Sequence, residues 1–211
     1  FLPQLISRLR FRPTEESLSV TVGNLFLENA LSFNLYSLYA KNKPKADALM
    51  REIGGAFFSS LKVSKDLSNL LVRPIERIGK YTLALQQLLN ATSPSKVETL
   101  DILHKGVSIV GFQIRHGTDL LAMERITGCD LNLREQGTLL RNDTMFVTEK
   151  HGLYTKKRMR SVFLFTNCVV ITKPRLRRGH DGKSYDELRY KGSIQMTDCG
   201  LTEMVKTSKT K

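Results

Sequence analysis

Apolar residues recur at the helical period through about Ile126, and at the two-residue period of strands beyond it. Pro13-Thr14-Glu15-Glu16 reads as a helix start, with a threonine cap and early acids. Val22, Leu25, Ala30, Phe33 and Tyr36 carry one stripe to about Tyr39, and Asn42-Lys43-Pro44 is expected to break it. A shorter helix is expected from Ala46 to about Ile53, ended by Gly54-Gly55, with Phe57 and Phe58 beginning another short piece. After Asp66 comes the most patterned segment, Leu70 to Leu89. Pro74 stands at the expected opening of its helix. Ile75, Ile78, Leu85 and Leu89 follow the 3.6-residue period, with Thr82 filling the remaining step. Arg77, Lys80, Ala84 and Gln87 fall in a band pointing elsewhere. Such a helix is held by one face and offers the other to something acidic.

Ser95 and Glu98 have the spacing of a capping box ahead of a second long helix. Val97, Leu100, Leu103, Val107, Val110, Ile114 and Leu121 keep its stripe for about thirty residues, where the mean helix has ~12. A helix of that length serves as a spine and leads into the next domain. The pattern changes at Thr127-Gly128-Cys129-Asp130. Strand-like segments begin at Gly137-Thr138-Leu139-Leu140. Val162 to Phe165 and Cys168 to Ile171 read as two strands joined by a tight turn at Thr166-Asn167, and Leu188 to Met196 gives one more. The charged tract from Lys173 to Glu187, which contains Gly179 and Gly182, reads as a solvated loop. No internal repeat is present.

The chain's 211 residues suffice for one large domain or two modest ones, and 41% hydrophobic residues suffice for a core. The net charge of +13 is concentrated in Lys156 to Arg160, Lys173 to Arg178 and Lys206 to Lys211. Clustering of this kind points to an anionic partner: membrane, nucleic acid or an acidic protein surface. Nucleic acid is not expected, because no recognition motif and no set of stacking aromatics accompanies the charge. Cys129, Cys168 and Cys199 are odd in number and lack metal-type spacing, which favours unpaired thiols and a reducing compartment. His104, His116, His151 and His180 are scattered without ligand spacing. There is no phosphate-cradling glycine loop and no Gly-x-Ser-x-Gly elbow. No metal, no cofactor and no enzyme site of the ordinary kind is expected. No run approaches the ~20 apolar residues of a membrane span, and Phe1-Leu2-Pro3-Gln4 is not a signal peptide. The chain is expected to be an excerpt of a longer protein.

The run Leu70-Leu71-Val72-Arg73-Pro74-Ile75-Glu76-Arg77, followed by Lys80-Tyr81 and a leucine-rich turn, resembles the signature helix of Dbl-homology domains, the exchange factors for Rho-family GTPases. Phe33 to Lys45 resembles that family's aromatic-rich second block, and Arg115 to Met123 the end of its last helix. These flanking phrases are nearest to puratrophin-like members. From Glu135-Gln136-Gly137 onward the chain resembles the pleckstrin-homology domain that follows in the family.

The resemblance implies a multidomain α and β protein: an elongated all-α helical bundle over residues 1–127, lacking its first block, then a partial antiparallel β-barrel over 128–211. It implies guanine-nucleotide exchange on a Rho-family small GTPase, by stabilising the nucleotide-free state without covalent chemistry. The alternative is a non-catalytic, membrane-associated adaptor. Lys80 is the residue implied to meet the GTPase's second switch. Thr118 stands where many members carry asparagine, so it is a weaker second contact or a packing residue. Glu76 replaces the family's glutamine. Arg77 is expected in a structural ion pair, and Leu83 and Leu85 in the core. Lys157, Arg158 and Arg160 match the basic spacing with which such domains hold phosphoinositide headgroups. Arg158 and Arg160, two apart on a strand, would face one side. A cytoplasmic protein is implied, peripheral at the plasma membrane or cytoskeleton.

Overall fold

A computed structural model of the chain describes residues 1–10, 14–54, 58, 60, 67–151, 154–178 and 184–200. Pro13, Gly55, Phe57, Asp66, Gly179 and Gly182, read above as breaks and starts, lie outside them. The chain divides into two compact units, Phe1–Leu121 and Ala122–Lys211. As expected, the first is helical and the second is built on a sheet.

The helices are α1 (Leu2–Leu9), α2 (Glu15–Glu28), α3 (Asn34–Leu49), α4 (Leu67–Ala91) and α5 (Val97–Met123), with a π-helical turn at Met50–Gly54 after α3. The single helix expected up to Tyr39 is in fact two. The Asn29 side chain donates at 2.8 Å to the Leu25 carbonyl, which also accepts the Asn29 backbone N–H at 3.2 Å, and α2 closes there. The turn that follows swings Phe33 inward. Phe26 and Phe33 stack at 5.3 Å, and Phe1 stands edge-on to Phe26, Phe33 and Tyr81 at 4.8–5.3 Å. Pairs of this kind contribute roughly 0.5–1.5 kcal/mol each beyond the area they bury.

Two prolines expected to delimit helices lie inside them. A proline in a helix removes one N–H and crowds the carbonyl four residues back. Around Pro44 side chains brace the helix on either side: Asn42 donates to the Leu38 carbonyl at 2.9 Å, and Lys43 pairs with Asp47 across the turn. At Pro74 the Tyr39 hydroxyl donates to the Leu71 carbonyl at 2.7 Å, tying α3 to the turn the proline loosens.

α4 buries Ile78, Tyr81 and Leu85, while Ile75 is exposed and Thr82 half-buried. Tyr81 therefore takes the place the pattern assigned to Ile75 and Thr82. Burial pushes its phenol up to about 12, helped by hydrogen bonding to Tyr36 and opposed by the charge of Arg77. The buried seam of α5 is Thr99, Leu103, Gly106, Val110, Gln113 and Gly117; Val97 and Ile114, placed on the stripe above, are exposed. The Ser95 hydroxyl bonds Ser93, and α5 begins one residue later than a Ser95 cap requires. Among the described residues of this unit, two glycines permit the tightest approaches. A Cβ at Gly23 would stand 2.5 Å from Ile102. One at Gly117 would stand 3.0 Å from the Ala40 Cβ and 3.2 Å from the Ser37 carbonyl oxygen.

In the second unit, β1 (Ile126–Thr127), β2 (Leu139–His151), β3 (Tyr154–Phe165), β4 (Cys168–Arg178) and β5 (Ser184–Gln195) form one sheet in the order β1-β5-β4-β3-β2. All neighbours are antiparallel except β1 and β5, and among the described residues the sheet is not closed into a barrel. Leu139, Phe163, Phe165, Cys168, Val170 and Leu188 make the core, and the buried Thr172 hydroxyl donates to the Ser161 carbonyl at 2.9 Å. The turn at Thr166-Asn167 is as read. Where it is described, the tract from Lys173 onward is strand rather than loop: β4 runs to Arg178 and β5 starts at Ser184. Between them lies a bulge. Ile171 pairs with Gly192 and Thr172 with Tyr190, which leaves Lys191 as the extra residue.

Gly117→Val should cost about 1–3 kcal/mol, because its methyls meet backbone rather than a movable side chain. Gly79→Ala, with nothing within 4 Å of the new Cβ, should stabilise by roughly 0.5–1 kcal/mol. Thermal unfolding of the two variants checks both signs. Tyr81 keeps its proton in the fold beyond the ordinary value of 10.0. Its contribution should be fully present below pH 10 and fade as the pH rises towards 12. Denaturant unfolding across that window should bring wild type and Tyr81→Phe together.

Candidate functional site

The expected site residues lie on two faces, one in each unit. On α4, burial of Ile78, Tyr81 and Leu85 fixes the helix's rotation. Successive residues turn by about 100°, so Glu76, Lys80, Leu83 and Gln87 point away from the core, and all four are exposed. Lys80 makes no ion pair among the described residues, which leaves its ammonium available to an acidic partner. Arg77 is exposed as well and has no salt bridge among the described residues; its effect falls on Tyr81. The structural ion pair expected of it is therefore not made. Leu83 corrects a second expectation, because it is 60% exposed rather than in the core, whereas Leu85 is fully buried. An apolar side chain one turn from Lys80 gives that face a dry contact beside its charge. The signal in the sequence was its phase: Leu83 lies nearly opposite Tyr81 on the helix.

Thr118 is exposed on α5, between buried Gly117 and buried Asp119. The close approach at Gly117 seats this turn against α3 and sets Thr118 outward. Ile114, one turn earlier, is 42% exposed on the same side, while His116 is buried and stacks on Phe112 at 5.1 Å. α4 and α5 are joined by a short turn and touch where Leu85 meets Gly106. Counting outward from that contact, Lys80 and Thr118 lie on the same side of it but about seven residues, ~10 Å, apart along the helices. A cavity of about 670 Å³ lined by Leu18, Ser19, Leu88, Thr92 and Thr99 lies towards the other end of α4, ~12–18 Å along the axis from Lys80.

In the sheet unit the trio Lys157, Arg158 and Arg160 does not converge. Lys157 points to the opposite face from the two arginines, and its ammonium sits 4.9 Å from the Phe146 ring centroid. Arg158 and Arg160 share a face, as expected, but they also share a carboxylate. Arg160 donates to Glu149 at 2.7 Å and to the Met159 carbonyl at 3.1 Å, and its side chain is only 4% exposed. Arg158 lies 3.9 Å from the same Glu149. Arg160, expected to grip a headgroup, is instead a buried structural cation. Charge spacing along one strand could not reveal this, because the neutralising group lies on the paired strand.

The RhoGEF domain model matches residues 1–110, and the SOS1/NGEF-like PH domain model matches residues 133–211. Human puratrophin-1 is 43% identical over 86% of this chain and 15% of its own length. Human pleckstrin homology domain-containing family G member 4B is 39% identical over 88% of this chain and 11% of its own. Human Rho guanine nucleotide exchange factor 25 is 30% identical over 85% of this chain and 32% of its own. The chain thus spans about a third or less of these relatives.

Glu149→Ala strands the Arg160 guanidinium in a dry site and should cost about 3 kcal/mol in chemical denaturation. Combining it with Arg160→Met should recover most of that loss; equal losses in the single and double variants would show that the pair is not the source.

Proposed function

The chain belongs to the RhoGEF family, the Dbl-homology exchange domains, and from that premise we propose that the protein containing it is a guanine-nucleotide exchange factor for a Rho-family small GTPase. The observation that carries the proposal is the outward placement of Lys80 on a helix whose opposite face is locked into the bundle by Tyr81.

No bond need form or break in such a reaction. A GTPase holds its nucleotide through loops that also contact phosphate and magnesium. A factor that binds the nucleotide-free arrangement better than the loaded one lowers the cost of release. Acceleration comes only from that difference in affinity, ~1.4 kcal/mol for each factor of ten. The α4 face offers a charge-assisted donor in Lys80, worth roughly 1.5–3 kcal/mol against a carboxylate or carbonyl-rich loop, with Leu83 as the apolar neighbour. Thr118 supplies a lesser contact on α5, because a hydroxyl cannot donate and accept at an amide's reach.

The second unit favours a peripheral position at an anionic membrane, with exposed Arg158 as the cation the expected trio contributes, since Arg160 is buried and Lys157 stands over Phe146 on the other face. Among the described residues no helix is long and apolar enough to cross a membrane. The second reading, an adaptor that binds a GTPase without promoting release, is favoured by threonine at position 118.

GDP release from a panel of Rho-family GTPases decides between the two. Lys80→Ala in the protein containing this chain should slow release about 10- to 100-fold with unchanged thermal unfolding, and Thr118→Ala should slow it less than about threefold. Wild-type rates in Lys80→Ala would refute the assignment. No acceleration of any GTPase by the wild type would leave the adaptor.

A further inference from the structure

The segment Lys173-Pro174-Arg175-Leu176-Arg177 alternates cation and apolar residue, and in β4 that alternation becomes two faces. Pro174 and Leu176 stand on the side of the core residue Leu188. Lys173 and Arg175 stand on the other. In register across β5, Lys173 faces Arg189, and Arg175 faces Glu187, whose carboxylate also accepts a bond from the Thr127 hydroxyl. The bulge adds Lys191 to the same group. Its ammonium is held below the ordinary lysine value by desolvation and then by repulsion from Arg189, Lys173, Arg160 and Arg175. Lys173, Arg175, Arg189 and Lys191 are exposed and have no salt bridge among the described residues. On β3, which pairs with β4 only as far as Ser161 and Thr172, buried Arg160 is the cation that reaches this group.

Like charges directly opposed on neighbouring strands destabilise a sheet. Protection of a sheet edge accounts for Lys173 and Arg175, since β4 pairs with β5 alone beyond Thr172, but not for Arg189, which is paired on both sides, with Lys173 and with Thr127. We propose that this face of the β3–β4–β5 sheet, centred on Lys173, Arg175, Arg189 and Lys191, is an electrostatic docking surface for an anionic lipid bilayer. The inference rests on the peripheral-membrane reading of this unit and is independent of nucleotide exchange.

The geometry favours a bilayer over other polyanions. The cations form a two-dimensional array, ~4.8 Å between strands and ~6.6–6.8 Å between same-face positions along them, which suits many diffuse charges rather than one multiply charged group. The aromatic next to them in sequence, Tyr190, is paired with Thr172 on the core side, so among the described residues no aromatic side chain is placed with the four cations to stack a base, as single-stranded nucleic acid requires. The apolar residues of the same face, Ile171 and Ile194, lie to one end of the four cations rather than among them, where a stable protein interface seats its anchor. Basic residues beside an anionic leaflet add about fivefold in affinity each, an attraction that salt screens over about 8 Å.

The test is co-sedimentation of the whole chain with vesicles of phosphatidylcholine alone, with added phosphatidylserine, and with phosphatidylinositol bisphosphate at matched charge. Both anionic sets should bind wild type alike and release it as salt rises. Lys173→Gln with Arg189→Gln should bind about 25-fold more weakly, at about fivefold per cation. Its melting temperature should stay level or rise, because the opposed like charges are gone. Lys157→Gln, on the other face, should bind as wild type. Unaltered binding of the double variant would overturn the surface assignment alone, as would binding confined to bisphosphate vesicles and lost in Lys157→Gln. Retention of the wild type on RNA but on none of the vesicles would overturn the membrane reading with it.

Discussion

The helical unit turns on the insertion of one phenol ring. Tyr81 enters a nest made by Phe1, Phe26, Phe33 and Tyr36, residues drawn from the chain's start, α2, the turn after it and α3. A ring so enclosed cannot move to the surface without emptying a site that four others line. The rotation of α4 is thereby set, and the preceding residue, a lysine, has nowhere to go but outward. The order of causes runs from packing to chemistry: an aromatic core chooses the helical phase, and the phase chooses which side chains a visitor meets.

The sheet unit handles charge in two contrasting ways on one face. Arg160 is withdrawn from water and answered by Glu149 on the adjacent strand, an arrangement that serves folding. A few residues away, Lys173 and Arg189 confront each other with no acid between them, an arrangement that works against folding. Both belong to basic runs that look alike in composition. Only the register of the neighbouring strand separates the cation that holds the sheet together from the cations that strain it.

That distinction marks the limit of what was legible beforehand. The helical periods of the first half, the hairpin at Thr166-Asn167 and the change from helix to strand were all written in apolar spacing, and they stand. That the helices continue through Pro44 and Pro74 was not legible, because local sequence shows the lost N–H but not the distant Tyr39 hydroxyl, nor the Asn42 amide turned back on its own helix, that brace the chain around it. The Lys173–Glu187 tract was misjudged because charge concealed a period of two that Pro174 and Leu176 keep intact. Lys80 and Thr118 were placed on exposed turns by resemblance. Leu83 was assigned inward because leucine usually is, although its phase against Tyr81 says otherwise. Arg160 could not be separated from Arg158 without the partner strand.

The supernumerary residue in β5 has a consequence for how this segment can change length. Before the bulge, even-numbered residues such as Leu188 and Tyr190 look into the core side; after it, odd-numbered residues do, and Ile194 faces out. Deleting Lys191 would reverse that parity on one side or the other. It would either carry Leu188 into water and Arg189 towards Phe163, or turn Ile194 inward. Substitution here is cheap while insertion and deletion are not, so the reading frame of the pleat, more than the identity of any one side chain, is what descent must preserve at this point.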